Sequence, residues 1–74
     1  MDYPVIDLEA TGERINRKRK ECGISVKTMQ EYFGMRNRNS IYKWFRGESL
    51  PTLENLYALS VLLDVKMDEL IVMH

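Results

Sequence analysis

An all-α fold, a compact bundle of five short helices, is predicted by three features of this sequence. Strand-like alternation of apolar and polar residues is nearly absent, and apolar residues recur instead at the spacing of one helix face. Breakers fall at short intervals, at Gly23, Gly34, Gly47 and Pro51, which makes each helix brief and each connection tight. The 74 residues suffice for a single core, because a chain this small buries only about 60% of its unfolded surface. Residues 1–6 are expected to form an N-terminal arm and residues 7–74 one domain.

The elements follow in order. Asp7 can cap a first helix that runs to about Cys22, where Gly23 offers a left-handed stop. Gly12, Ile15, Arg19 and Cys22 share one face of it, and Cys22 reads as a small buried hydrophobe. Ser25 is the N-cap of a second helix, with Val26, Met29, Tyr32 and Phe33 as its inner face and Gly34 as its end. The third helix starts near Asn37 or Arg38 and stops at Gly47. Its apolar residues Ile41, Trp44 and Phe45 fall within about 100° on a helical projection, and Asn39, Lys43 and Arg46 fall on the other side. Pro51 and Thr52 signal the start of a fourth helix. Leu53, Leu56, Tyr57, Leu59, Leu62 and Leu63 make that helix apolar almost all round, which predicts a buried spine. Asp68 and Glu69 suit the positively polarised first turn of a short fifth helix. Met29, Met35, Met67 and Met73 read as fillers of core gaps.

Eleven Lys and Arg balance eleven Asp and Glu, so the chain as a whole is neutral. The charges are nonetheless segregated. From Arg14 to Arg46 there are ten basic residues and two acidic ones, Glu21 and Glu31, a balance of +8, whereas from Gly47 onward Lys66 faces Glu48, Glu54, Asp64, Asp68 and Glu69, a balance of −4. The cationic half therefore suits a polyanion and the acidic half does not. Its densest stretch, RNRNSIYKWFRG at residues 36–47, holds four cations and no acid. A helix that packs Ile41, Trp44 and Phe45 inward and turns Asn39, Lys43 and Arg46 outward can read bases, since Lys or Arg pairs with guanine acceptors and Asn with adenine. The run Arg14, Arg17, Lys18, Arg19 and Lys20 reads more simply as a solvated helix face.

Other chemistries are disfavoured. Catalysis needs converging titratable groups, yet the only histidine is His74 and the only cysteine is Cys22, so no enzyme is expected. Neither residue has a neighbour at metal-ligand spacing, and no cofactor or small-molecule ligand is evident. No basic leader opens the chain and no run approaches the ~20 apolar residues that span a bilayer. A cytoplasmic location is the resulting expectation.

The run ERINRKRKECGISVKTMQEYFGMRNRNSIYKWFRGESLPTLENLYALSVLLDVKMDELI resembles the Cro/repressor-type, or XRE, helix-turn-helix family, whose members are mostly bacterial and phage transcription regulators. The resemblance spans about 60 of the 74 residues. It rests on Ile15 and Arg19, the GIS before helix two, Met29, Phe33 and Gly34, Ile41 and Gly47 bounding helix three, and PTLENL through DVKMDEL. It implies a lambda-repressor-like domain whose helix-turn-helix is formed by helices two and three. It further implies sequence-specific binding of double-stranded DNA, with repression of transcription as the role. Anchored on Ile41 and Gly47, the family's base-reading positions fall on Arg38, Asn39 and Lys43, with Asn37 and Ser40 at the sugar-phosphate backbone. Lys27, Arg36 and Arg46 would serve phosphates.

Four positions depart from the family pattern. One additional residue lies between Gly34 and Ile41, Gln30 stands where a small residue is usual, and Val26 replaces a polar residue. Phe45 stands where a glutamate often pairs with the arginine at Arg19, so Arg19 is expected to find Glu48 or a phosphate instead, an unpaired buried guanidinium being too costly. A single helix reaches only three or four bases, so a symmetric homodimer on half-sites about 34 Å apart is expected. The apolar ending Leu70, Ile71, Val72 and Met73 is its candidate surface, unless Leu70 and Ile71 close the core and Val72 to His74 fray. The alternative function, compatible with the acidic half, is a protein-interaction module such as an antitoxin or a mobile-element accessory protein.

Overall fold

A computed structural model describes residues 3–74. Of the arm expected over residues 1–6, Met1 and Asp2 lie outside the described residues. The chain forms α1 (Leu8–Glu21), α2 (Val26–Phe33), α3 (Asn39–Arg46), α4 (Leu53–Leu62) and α5 (Met67–Leu70). The helix starts are set by local hydrogen bonds to backbone amides that the helix leaves without partners. The Asp7 carboxylate accepts from the Ala10 amide, Ser25 Oγ from Thr28 and Thr52 Oγ1 from Asn55. The start of α3, expected near Asn37 or Arg38, is set differently. Arg38 occupies the cap position without a side-chain bond to the first turn, and Asn37 Oδ1 accepts instead from the Asn39 amide at 2.9 Å.

The core is built from Ile15, Met29, Ile41, Trp44, Leu56, Leu59, Leu63 and Leu70, all buried, with Val26, Phe33, Phe45 and Leu62 packed around them. The backbones of α1 and α3 meet at close range. A Cβ on Gly12 would stand 2.7 Å from the Phe45 carbonyl oxygen and nearer still to that of Trp44. Only glycine lets the two backbones meet there. Gly47, at φ +74°, closes α3 in the left-handed region and abuts the α1 backbone at Glu9.

Several side chains lie elsewhere than the sequence suggests. Cys22 is exposed, not buried, because α1 ends there at the rim of the bundle, where its thiol faces the Leu63 carbonyl oxygen at 3.6 Å. Tyr32 is likewise exposed; its hydroxyl donates to the Ala58 carbonyl at 3.2 Å, which holds the ring along the surface between α2 and α4. The fourth helix is a spine on one side only. Leu56 and Leu59 are buried, while Leu53, Tyr57 and Val61 are 75%, 61% and 58% exposed. Only Met67 at the start of α5 borders that side among the residues of other helices that line it, and a helix apolar all round carries no phase from which to choose its inner face. Met29 fills the core as expected, but Met73 is exposed.

The C-terminus does not fray. Leu70 is fully buried, and the residues after it run antiparallel to the start of the chain, with Ile6 bridged to Met73, the Asp7 amide donating to Val72 and the His74 amide to Val5. Thr11, 1% exposed, accepts from the Val72 amide at 2.9 Å. Residues 5 and 6 of the expected arm are thus fastened to the domain. No helix among the described residues is long and apolar enough to cross a membrane.

Candidate nucleic-acid interface

The geometry of α3 follows from its eight residues. Ile41 is fully buried and Trp44 4% exposed, and the Trp44 ring meets the edge of Phe33 from α2 at a centroid distance of 5.5 Å. These contacts pin one side of α3 against the bundle. Helical periodicity then turns the opposite side outward, and Asn39, Ser40, Lys43 and Arg46 are all exposed. Phe45 is half-buried at the border, and Tyr42 stands exposed with its ring edge-on to Phe45. Trp44, being buried, offers no face on which a base could stack.

The connection before α3 carries the remaining candidates. Gly34, at φ +66°, ends α2 in the left-handed region, and Met35 to Arg38 complete the turn. Arg36, Asn37 and Arg38 are exposed, as is Lys27 at the start of α2. The eight residues singled out from the sequence therefore lie on α2, the turn and α3, and none is covered by another helix. Among the described residues, no carboxylate forms an ion pair with Lys27, Arg36, Arg38 or Lys43. Arg46 differs, since its Nε donates to the Glu48 carboxylate. That hydrogen bond, above all, holds the Glu48 carboxyl below its ordinary range, with the Arg46 and Lys43 charges acting in the same sense.

Two neighbours of the site were not foreseen from spacing. Arg19 does not pair with Glu48. Its Nε donates to Asn16 Oδ1 at 3.0 Å, its Nη1 to the Ile24 carbonyl at 3.2 Å, and its guanidinium lies 5.3 Å from the centre of the Phe45 ring. The ring that replaces the usual glutamate thus offers its π-face to the same cation. Gln30 reaches out of α2 to the Met35 carbonyl and to Arg38. Its polarity at a position where a small residue is usual was the one available signal. On the far side of α1, Arg17 and Lys18 face Glu21, so much of that charge run is answered within its own helix.

A helix anchored by a buried Trp and Ile, preceded by a helix of equal length and a glycine-initiated turn, with its cations outward, defines a helix-turn-helix DNA-binding domain. The helix-turn-helix family profile matches residues 15–70, and the chain belongs to that family. It is a DNA-binding transcription regulator of the Cro/repressor type, as the sequence led us to expect. Among solved structures it resembles the restriction-modification controller protein C.AhdI from Aeromonas hydrophila, with 30% identity, a TM-score of 0.75, and coverage of 86% of this chain and 96% of that one. The DNA-binding domain of BldD is similar in fold, with 21% identity and a TM-score of 0.72 over 88% of this chain and 93% of that one. The S. venezulae BldD DNA-binding domain matches at the same identity and score, over 88% of this chain and 96% of that one. No curated protein sequence matches the chain.

Proposed function

We propose that this protein is a sequence-specific repressor that seats α3 in the major groove of double-stranded DNA. Arg38, Asn39 and Lys43 meet base edges in this reading, while Lys27, Arg36, Asn37, Ser40 and Arg46 meet the sugar-phosphate backbone. The observation that carries it is the contrast across α3: Ile41 and Trp44 are at most 4% exposed while every candidate contact is open to solvent. The likeness to a restriction-modification controller supports a regulatory role. The cell's DNA lies in the cytoplasm of a bacterium, and the protein acts there, without catalysis.

The protein works as a symmetric pair, because one helix cannot reach enough base pairs to select an operator. The C-terminal segment Leu70 to Met73 is the expected contact, with Leu70 in the core and Met73 bridged to Ile6 through its backbone while its side chain is 46% exposed. The uncharged stripe Leu53, Tyr57 and Val61 on α4 is the larger exposed apolar surface, and a twofold axis would lay it against its own copy.

Base preference is tested by titrating Asn39→Ala, Lys43→Ala and Lys27→Ala against duplexes selected from a randomised library. Asn39→Ala and Lys43→Ala should each relax discrimination at one base pair by ~1–3 kcal/mol, and Lys27→Ala should weaken all sequences alike and lower the salt slope by about 0.9. Equal, negligible effects from all three would remove the assignment.

A further inference from the structure

The turn between α2 and α3 is one residue longer than the pattern it resembles, and a longer turn leaves the cation at its end with more freedom. In this chain the extra length is braced from one side. Gln30 binds the turn twice at Met35: its backbone carbonyl accepts from the Met35 amide at 3.0 Å and its Nε2 donates to the Met35 carbonyl at 3.2 Å. Its remaining polar atom, Oε1, accepts from Arg38 Nε at 2.9 Å. All three groups of the Gln30 amide and carbonyl that face the turn are therefore used, and the last of them sits on the one guanidinium nitrogen that a guanine does not need. A bidentate contact to guanine O6 and N7 takes two parallel N–H groups, and with Nε engaged the Nη1 and Nη2 pair of this exposed residue remains for it.

We propose that Gln30 is a positioning residue for base readout. It clamps the long turn to α2 and holds Arg38 by Nε, so that the outer edge of the guanidinium is presented for a guanine at one base pair. Gln30 itself touches no DNA. A polar side chain at this helix crossing is thereby accounted for: it joins the two places where the chain departs from the family pattern, the longer turn and the larger residue. The inference rests on the reading of Arg38 as a base contact, and the test separates the two.

The experiment compares the wild-type chain with Arg38→Ala, Gln30→Met and Gln30→Glu by selection from a randomised duplex library, followed by anisotropy titration of the selected duplex and its single-base-pair variants. Gln30→Met keeps the volume and removes both side-chain hydrogen bonds, whereas Gln30→Glu keeps the acceptor for Arg38 Nε. Arg38→Ala should abolish the preference for a G·C pair at one position. Gln30→Met should lower that same preference about tenfold and leave the other positions and the salt slope unchanged. Gln30→Glu should bind all duplexes more weakly but retain the preference. In the free protein, nitrogen-15 relaxation of Arg38 Nε–H should report an ordered group that becomes mobile in Gln30→Met and stays ordered in Gln30→Glu. If Arg38→Ala loses the preference and Gln30→Met keeps it, the positioning role falls and Arg38 remains a reader. If Arg38→Ala changes no preference, both fall. A loss spread over all positions in Gln30→Met, or an Arg38 Nε–H equally ordered with and without Gln30, would reduce Gln30 to a brace of the turn and overturn the proposal.

Discussion

Replacing Gly12 by alanine adds one methyl group at the seam where α1 lies against α3. The added Cβ would stand 2.7 Å from the Phe45 carbonyl oxygen and 2.9 Å from the Phe45 carbonyl carbon, with the Trp44 carbonyl oxygen closer than either. All three neighbours are backbone, so no side chain can turn away. Restoring an ordinary separation of ~3.5 Å requires the helices to part by about 1 Å, and a gap of that size forfeits a quarter to a half of the dispersion energy along the seam. Ile15, Ile41 and Trp44 line it and would all lose contact. Overpacking of this kind costs about 1–3 kcal/mol or more, and removing glycine from a helix interior returns about 1 kcal/mol. Because all three neighbours are backbone, the cost falls at or above the upper end of that range, and a net loss of about 2 kcal/mol or more is expected, a large part of the ~4–11 kcal/mol available to a domain of 74 residues. The single tryptophan, Trp44, reports directly on this seam, so urea unfolding followed by its fluorescence is the assay. With a slope near ~1 kcal/mol per molar, the midpoint should fall by about 2 M or more. An unchanged or higher midpoint would mean that the helices do not meet at Gly12, and the placement of α3 would fall with it.

Glu48→Gln should release Arg46 and raise affinity for any duplex, with a salt slope steeper by about 0.9 if Arg46 then reaches a phosphate; an unchanged slope would show that Arg46 stays away from DNA. Because the folded Glu48 carboxyl is held below its ordinary range, its pairing with Arg46 is complete at neutral pH and is lost only as pH falls through that lowered value. Affinity between about pH 6 and 8 should therefore owe nothing to Glu48 titration, and a Glu48-dependent change there would contradict the pairing. Tyr57→Lys places a charge in the middle of the exposed stripe on α4 and should convert a pair into single chains in sedimentation while leaving the helical spectrum intact; an unaltered assembly would clear that stripe of any role. Thr11→Val leaves the Val72 amide without its acceptor and should cost about 1–3 kcal/mol, with faster hydrogen exchange at Val72; unchanged exchange there would refute the bridge.

Sequence alone determined where most helices begin and end, because those signals act over three or four residues. Asp7, Ser25 and Thr52 each cap a helix through a backbone amide three positions on, and Gly34 and Gly47 stop α2 and α3 in the left-handed region. The outward side of α3 was equally legible, since its apolar and cationic residues are separated by helical phase, and with it went the family and its function. Tertiary structure decided whatever depended on a neighbour distant along the chain. The apolar circumference of α4 held no phase, so only packing could bury Leu56 and Leu59 and leave Leu53, Tyr57 and Val61 outside. Arg19 rests on Phe45 because α1 and α3 cross there, and Ile6 meets Met73 because the two ends of the chain converge. Cys22 is exposed because α1 ends at the rim of the bundle, beside the Leu63 carbonyl that follows α4. Gln30 reaches Arg38 because the turn folds back over α2, a contact that follows from the path of the backbone and not from any periodicity in the residues.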